Sequence, residues 1–93
     1  MKILAVCGMG LGSGLILRMQ AEKALRQLGA TADLEVADIG SARALASTAD
    51  IILTSRELAA QLAGVKPRIV TISNFIDLNE MVEKLREVLA TPR

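Results

Sequence analysis

The chain has no histidine, no tryptophan and no tyrosine, and only one phenylalanine and one cysteine among its 93 residues. Each shortage closes a class of function. A single cysteine forms no internal disulfide, and without histidine or a second thiol there is no set of soft ligands, so no metal site and no cofactor are expected. Phe75 alone offers no aromatic platform on which bases or sugar rings would stack. Eleven Lys and Arg against ten Asp and Glu give a net charge of +1. Both signs are scattered, so no basic stripe exists to follow a phosphate backbone, and nucleic acid is not an expected partner. No apolar run approaches the roughly 18 residues of a membrane span, so direct membrane insertion is not expected. The four apolar residues between Lys2 and Cys7 are also too few for the roughly 7 to 15 of a secretion h-region. An unpaired thiol suits a reducing, cytoplasmic setting.

What is present is aliphatic. With 52% hydrophobic and 23% charged residues, the chain is expected to be one α/β domain spanning residues 1–93, with a core of Leu, Ile, Val, Ala and Met. Residues 2–6, "KILAV", form a short apolar run of the kind found in a strand covered on both faces. From about Gly14 to Leu28, Leu17, Ala21, Ala24, Leu25 and Leu28 recur at helical spacing, and Gly29 supplies the stop. "DLEVADI", residues 33–39, alternates as an edge strand does. A short stretch capped by Ser41 leads to a buried strand at "DIILTS". Ser55 caps a helix to about Ala63, Gly64 and Pro67 break it, and "RIVTIS", residues 68–73, makes the fourth strand. Asp77 and Glu80 then open a last helix in the manner of a capping box, followed by an apolar stripe of Leu78, Met81, Val82, Leu85, Val88 and Leu89. Strands alternating with helical segments predict a Rossmann-like, four-stranded parallel sheet in the order 2-1-3-4, with helices on both faces.

The stretch that carries chemistry is "CGMGLGSG", residues 7–14, directly after the first strand. In an open parallel sheet, ligands bind beyond the carboxyl ends of the strands where the strand order reverses, which places Cys7 at that point. Gly8, Gly10, Gly12 and Gly14 ease the backbone angles that turn successive N–H groups inward, and the helix that follows begins with free N–H groups aimed at the same place. Such surroundings favour a thiolate over a thiol and also bind phosphate oxygens. Against this stands a simpler reading, in which Cys7 is a small buried hydrophobe and the glycines only make a tight turn. A nucleoside triphosphate loop would need a Lys followed by Ser or Thr, and neither is in place. A dinucleotide fingerprint matches at Gly8 and Gly10, but Ser13 stands at its third glycine. Asp38, its candidate ribose acid, reads better as a strand-end or turn residue.

The segment "ILAVCGMGLGSGLILRMQAEKALRQLG" resembles the start of the enzyme IIB components of the bacterial sugar phosphotransferase system, most closely the ascorbate type within the lactose and ascorbate group. The resemblance implies that Cys7 is the phosphorylated cysteine. It also implies that Gly8, Met9, Gly10, Leu11, Gly12 and Ser13, with Gly14 closing the stretch, form the loop that cradles the phosphate. Family loops commonly end in two hydroxyl residues, whereas here Ser13 is followed by Gly14. The implied partners are a IIA component carrying a phosphohistidine and a membrane IIC component holding the sugar. The fold so implied is similar to that of low-molecular-weight tyrosine phosphatases, but those carry an Arg in the loop, and the matching spacing from Cys7 ends at Ser13 without one.

The expected function is therefore phosphoryl relay in sugar uptake. The alternatives are a small cysteine phosphatase or arsenate-reductase-like enzyme, for which Asp77 is the loosely placed general acid, and a nucleotide-binding or regulatory module without turnover. Met9 and Leu11 are expected to touch the partner. Leu15 is a further candidate for that contact, although a core position is the stronger expectation for it, and Arg56 and Arg68 are solvated charges unless an acidic partner uses them.

Overall fold

The computed structural model describes residues 1–8 and 11–90. Its elements run β1 (Lys2–Cys7), α1 (Leu11–Leu28), β2 (Asp33–Asp38), α2 (Ile39–Ala46), β3 (Ile51–Thr54), α3 (Arg56–Ala60), β4 (Arg68–Thr71) and α4 (Leu78–Ala90). All three strand pairings are parallel and the order is β2-β1-β3-β4, as the sequence predicts.

Alternation along the central strands divides the core in two. Ile3, Ala5, Ile51 and Leu53 face α1 and α4, meeting Leu17, Ala21, Ala24 and Leu25 of the first helix and Met81, Val82, Leu85 and Val88 of the last. Leu4, Val6 and Ile52 face the other way, onto Ala42 and Ala46 of α2 and onto Leu62. Because β1 and β3 are covered on both faces, their runs are continuously apolar, and Ile3 to Val6 are fully buried. Cys7 follows the phase of Ile3 and Ala5, which turns its side chain toward α1.

The helix ends explain where the sequence reading and the fold part company. α1 begins at Leu11, three residues before the expected Gly14. Glycine lowers helix propensity by about 1 kcal/mol relative to alanine, so Gly12 and Gly14 read as loop, but tertiary packing overrides that preference. At its far end α1 closes as expected: Gly29 takes φ +67°, Ala30 N–H donates to the Leu25 carbonyl at 2.9 Å and Gly29 N–H to Arg26 at 3.2 Å, a Schellman motif. The cap of α2 is Asp38 rather than Ser41. The Asp38 carboxylate accepts from Ser41 N–H at 2.8 Å, so β2 ends at Asp38 and Ile39 already belongs to the helix. Ser55 does cap α3, accepting from Leu58 N–H at 3.3 Å. That helix ends at Ala60 instead of Ala63, because the chain tightens to i→i−3 bonding at Gln61 and Leu62, with Leu62 fully buried.

The start of α4 is half of a capping box. Asp77 accepts from Glu80 N–H at 3.2 Å, but Glu80 does not reach back to Asp77. Its carboxylate accepts instead from the N–H groups of Ser73 and Asn74, at 2.8 and 2.9 Å, and pairs with Lys84 at 2.9 Å. Glu80 thus ties the loop after β4 to the first turns of α4.

Candidate functional site at the end of the first strand

Cys7 ends β1 at the carboxyl edge of the sheet, and the direction of chain progression reverses between β1 and β3, where open α/β sheets bind ligands. Strand pairing places Cys7 opposite Asp38 on β2. On the other side, Thr54 ends β3 with a fully buried hydroxyl that donates to the Val6 carbonyl at 3.0 Å. That bond pins β1 to β3 one residue before the thiol, and nothing in the sequence singles it out beyond a lone hydroxyl at the end of an apolar strand.

The thiol is 5% exposed and donates to the Ala37 carbonyl of β2 at 3.6 Å. Above it lies Gly14. A Cβ built on Gly14 would stand 2.9 Å from Cys7 Sγ and 2.8 Å from Val36 Cγ1, closer than real Cβ contacts come. This glycine is therefore fixed by packing: the first helix approaches β1 and β2 over a residue that has no side chain. The loss of helix propensity, about 1 kcal/mol, is offset by that close approach.

Of the other residues expected to cradle an anion, Gly8 follows the strand with open space around its α-carbon. Met9 and Gly10 lie outside the described residues. Leu11, Gly12 and Ser13 form the first turn of α1 instead of a loop, and Gly14 sits in its second turn. Cys7 thus ends β1 four residues before α1 begins at Leu11, and the close approach of α1 to it is at Gly14. A helix start leaves its first N–H groups without partners inside the helix.

The surface around this edge corrects one expectation. Leu15 is 55% exposed rather than core, and with Ile16 (42%) and Met19 (55%) it makes an apolar patch on the outer side of α1, at the end nearest Cys7. Ile76, in the loop before α4, is 73% exposed. Arg68 opens β4 and so lies at the opposite edge of the sheet, lining a groove with Lys84 and Glu87. Arg56, by contrast, lines an open depression of about 410 Å³ with Ser55, Ser73 and Asn74 beyond the ends of β3 and β4. Asp38 and Asp77, the acids weighed for ribose binding and acid catalysis, are both helix caps.

No group of three or more Cys, Asp or Glu side chains that would hold a metal occurs among the described residues, and no helix among them is long and apolar enough to cross a membrane. One carboxylate at this edge is strongly perturbed. Partial burial pushes the Glu80 acid up, but the Ser73 amide, the Lys84 ammonium and the Asn74 amide outweigh it and bring the acid down from 4.5 to about 2.

Comparison with known proteins bears on this geometry. Residues 2–87 match the family described as "PTS system, Lactose/Cellobiose specific IIB subunit". The ascorbate-specific PTS system EIIB component of Mycoplasma pneumoniae is 33% identical over 90 residues, covering 96% of this chain and 95% of that protein. Its counterpart from Shigella sonnei is 32% identical over 89 residues, covering 95% of this chain and 88% of that one. Among solved structures, the lactose-specific IIB domain of the phosphoenolpyruvate:carbohydrate phosphotransferase system from Streptococcus pneumoniae superposes with a TM-score of 0.64 at 17% identity, covering 100% of this chain and 98% of that one. At that identity it supports the fold alone.

Proposed function

Since the chain belongs to the lactose/cellobiose-specific IIB family of the phosphotransferase system, and is thereby a phosphotransferase component, we propose that Cys7 is the sulfur that carries the phosphoryl group. In the first step Sγ bonds to phosphorus as the P–N bond of a IIA phosphohistidine breaks; the imidazole nitrogen keeps the bonding pair and takes up the thiol proton. In the second, a sugar hydroxyl on the membrane IIC component bonds to the same phosphorus, the S–P bond breaks, and the hydroxyl proton returns to sulfur. The phosphoryl group is transferred without a redox change or a cofactor. Catalysis of this kind is mostly positioning and charge stabilisation, and the first-turn amides of α1, with the backbone of residues 8–13, would supply the charge stabilisation.

The observation that carries this reading is the placement of the chain's one thiol between the end of β1 and the start of α1, at the reversal of the strand order. Two further features favour a carrier over a hydrolase. Hydrolysis needs a general acid for the leaving group, and the Asp38 and Asp77 carboxylates are engaged as helix caps. The loop also lacks the Arg that would clamp phosphate bidentately.

The relatives named ascorbate-specific support ascorbate or a related sugar as the acceptor, with specificity lying in the IIC partner. The Leu15, Ile16 and Met19 patch beside the thiol is the proposed docking face for the IIA and IIC components. A cytoplasmic setting follows from a donor and an acceptor that both meet the protein on that side of the membrane.

Mass spectrometry after incubation with phosphoenolpyruvate and the upstream phosphotransfer proteins tests the proposal. The expected result is one phosphate on the Cys7 peptide, absent in Cys7→Ser and discharged on adding IIC with its sugar. Rapid release of inorganic phosphate from an aryl phosphate, with no adduct from the donor proteins, would instead indicate a phosphatase.

A further inference from the structure

We infer that Gly14 is a positioning residue for Cys7: because it has no side chain, the sulfur can park inward against the Ala37 carbonyl, and phosphoryl transfer requires the sulfur to swing out of that position. Three observations meet here. The Cys7 thiol is 5% exposed. It donates to the Ala37 carbonyl at 3.6 Å. A single carbon added at Gly14 would lie 2.9 Å from the sulfur.

With Cys7 only 5% exposed and its sulfur turned between the Ala37 carbonyl and Gly14, attack on an incoming phosphorus requires the sulfur to turn outward. The phosphorylated chain therefore holds Sγ in another of the staggered positions about the Cys7 Cα–Cβ bond, and each cycle alternates between a parked thiol and an outward phosphothiol. Parking withholds the nucleophile from solvent between turnovers. It also gives a reason for glycine at the position where the resembling family commonly carries a hydroxyl: a serine Cβ there would meet both Cys7 Sγ and Val36 Cγ1. The consequence for transfer rests on the phosphocysteine reading, whereas the parked rotamer does not.

Because the chain has one cysteine, its S–H stretch is a single infrared band whose frequency reports the hydrogen bond to Ala37. In Gly14→Ala the band is expected to shift to the higher frequency of an unbonded thiol, and alkylation of Cys7 by iodoacetamide to become several-fold faster. Gly14→Ala also crowds Val36, so the double variant Gly14→Ala with Val36→Ala removes that second collision and carries the test if the single variant does not fold. The double variant is expected to keep the shifted band, while Val36→Ala alone keeps the wild-type band. A wild-type band in a folded Gly14→Ala chain, or its return in the double variant, would overturn the assignment. The carrier reading is scored separately by phosphocysteine formation on the wild-type chain. A shifted band without any phosphocysteine upholds the role of Gly14, and phosphocysteine with an unmoved band rejects it.

Discussion

Replacing Glu80 with Gln should remove about 2 kcal/mol of stability at neutral pH and nearly nothing at pH 2. The Glu80 carboxylate accepts from Ser73 and Asn74 N–H and pairs with Lys84, and its side chain is 16% exposed. Burial alone would raise its acid, yet the two amides and the ammonium lower it from 4.5 to about 2. At about 1.4 kcal/mol per pKa unit that drop sets an upper limit of about 3.5 kcal/mol. Glutamine keeps one oxygen for one amide, which brings the expected loss nearer 2. The sign follows from proton counting. Between pH 4.5 and 2 the unfolded chain is protonated at this position and the folded chain is not, so the contribution is complete above about pH 4.5 and is lost as pH falls through the folded value. Urea unfolding of both chains at pH 7, 5, 3 and 2 measures it. Other carboxylates titrate in the same range, so the quantity that decides is the difference between the two chains. If that difference is the same at pH 7 and at pH 2, the Glu80 clamp contributes nothing through its charge and the reasoning fails.

Two further outcomes are expected. Thr54→Val keeps the shape but leaves the Val6 carbonyl without its hydroxyl donor, which should cost about 1–3 kcal/mol in chemical denaturation. It should also slow phosphorylation of Cys7, since the strand end that presents the sulfur is no longer pinned; an unchanged phosphorylation rate would reduce Thr54 to a stability role. Met19→Glu, on the exposed face of α1, should leave the folding transition within about 0.5 kcal/mol of wild type while weakening IIA binding measured by calorimetry, and undiminished affinity would move the docking face elsewhere.

Much of the fold was legible because burial on both faces of β1 and β3 leaves an unmistakable pattern. Ile3 to Val6 and Ile51 to Leu53 are continuous apolar runs, whereas β2 carries Asp33, Glu35 and Asp38, as a sheet edge does. That contrast is enough to place β1 and β3 inside and β2 outside. The Leu78-to-Leu89 stripe was equally plain, since four of its side chains are buried in the core. What escaped were contacts between residues far apart in sequence. Asp38 and Ser41 are both good caps by type, and only the path of the chain out of β2 decides that Asp38 accepts and Ser41 donates. Thr54 reaches Val6 across 48 positions, and Leu15 has the chemistry of a core residue but the position of a surface one.

The glycines of residues 7–14 were the hardest to read, because glycine signals two opposite things. It marks backbone that must bend, and it marks backbone that another group must approach closely. Taken together, four glycines beside a thiol suggested bending throughout, and hence a helix starting only at Gly14. In the fold, α1 has already begun at Leu11, and Gly14 is an ordinary helical residue whose missing side chain makes room for Cys7 Sγ and Val36. The pattern cannot separate the two meanings, since the atom that would collide belongs in one case to a strand 22 residues further along. In this chain, then, the glycine at position 14 marks close approach rather than bending, since a Cβ there would collide with Cys7 Sγ and Val36 Cγ1.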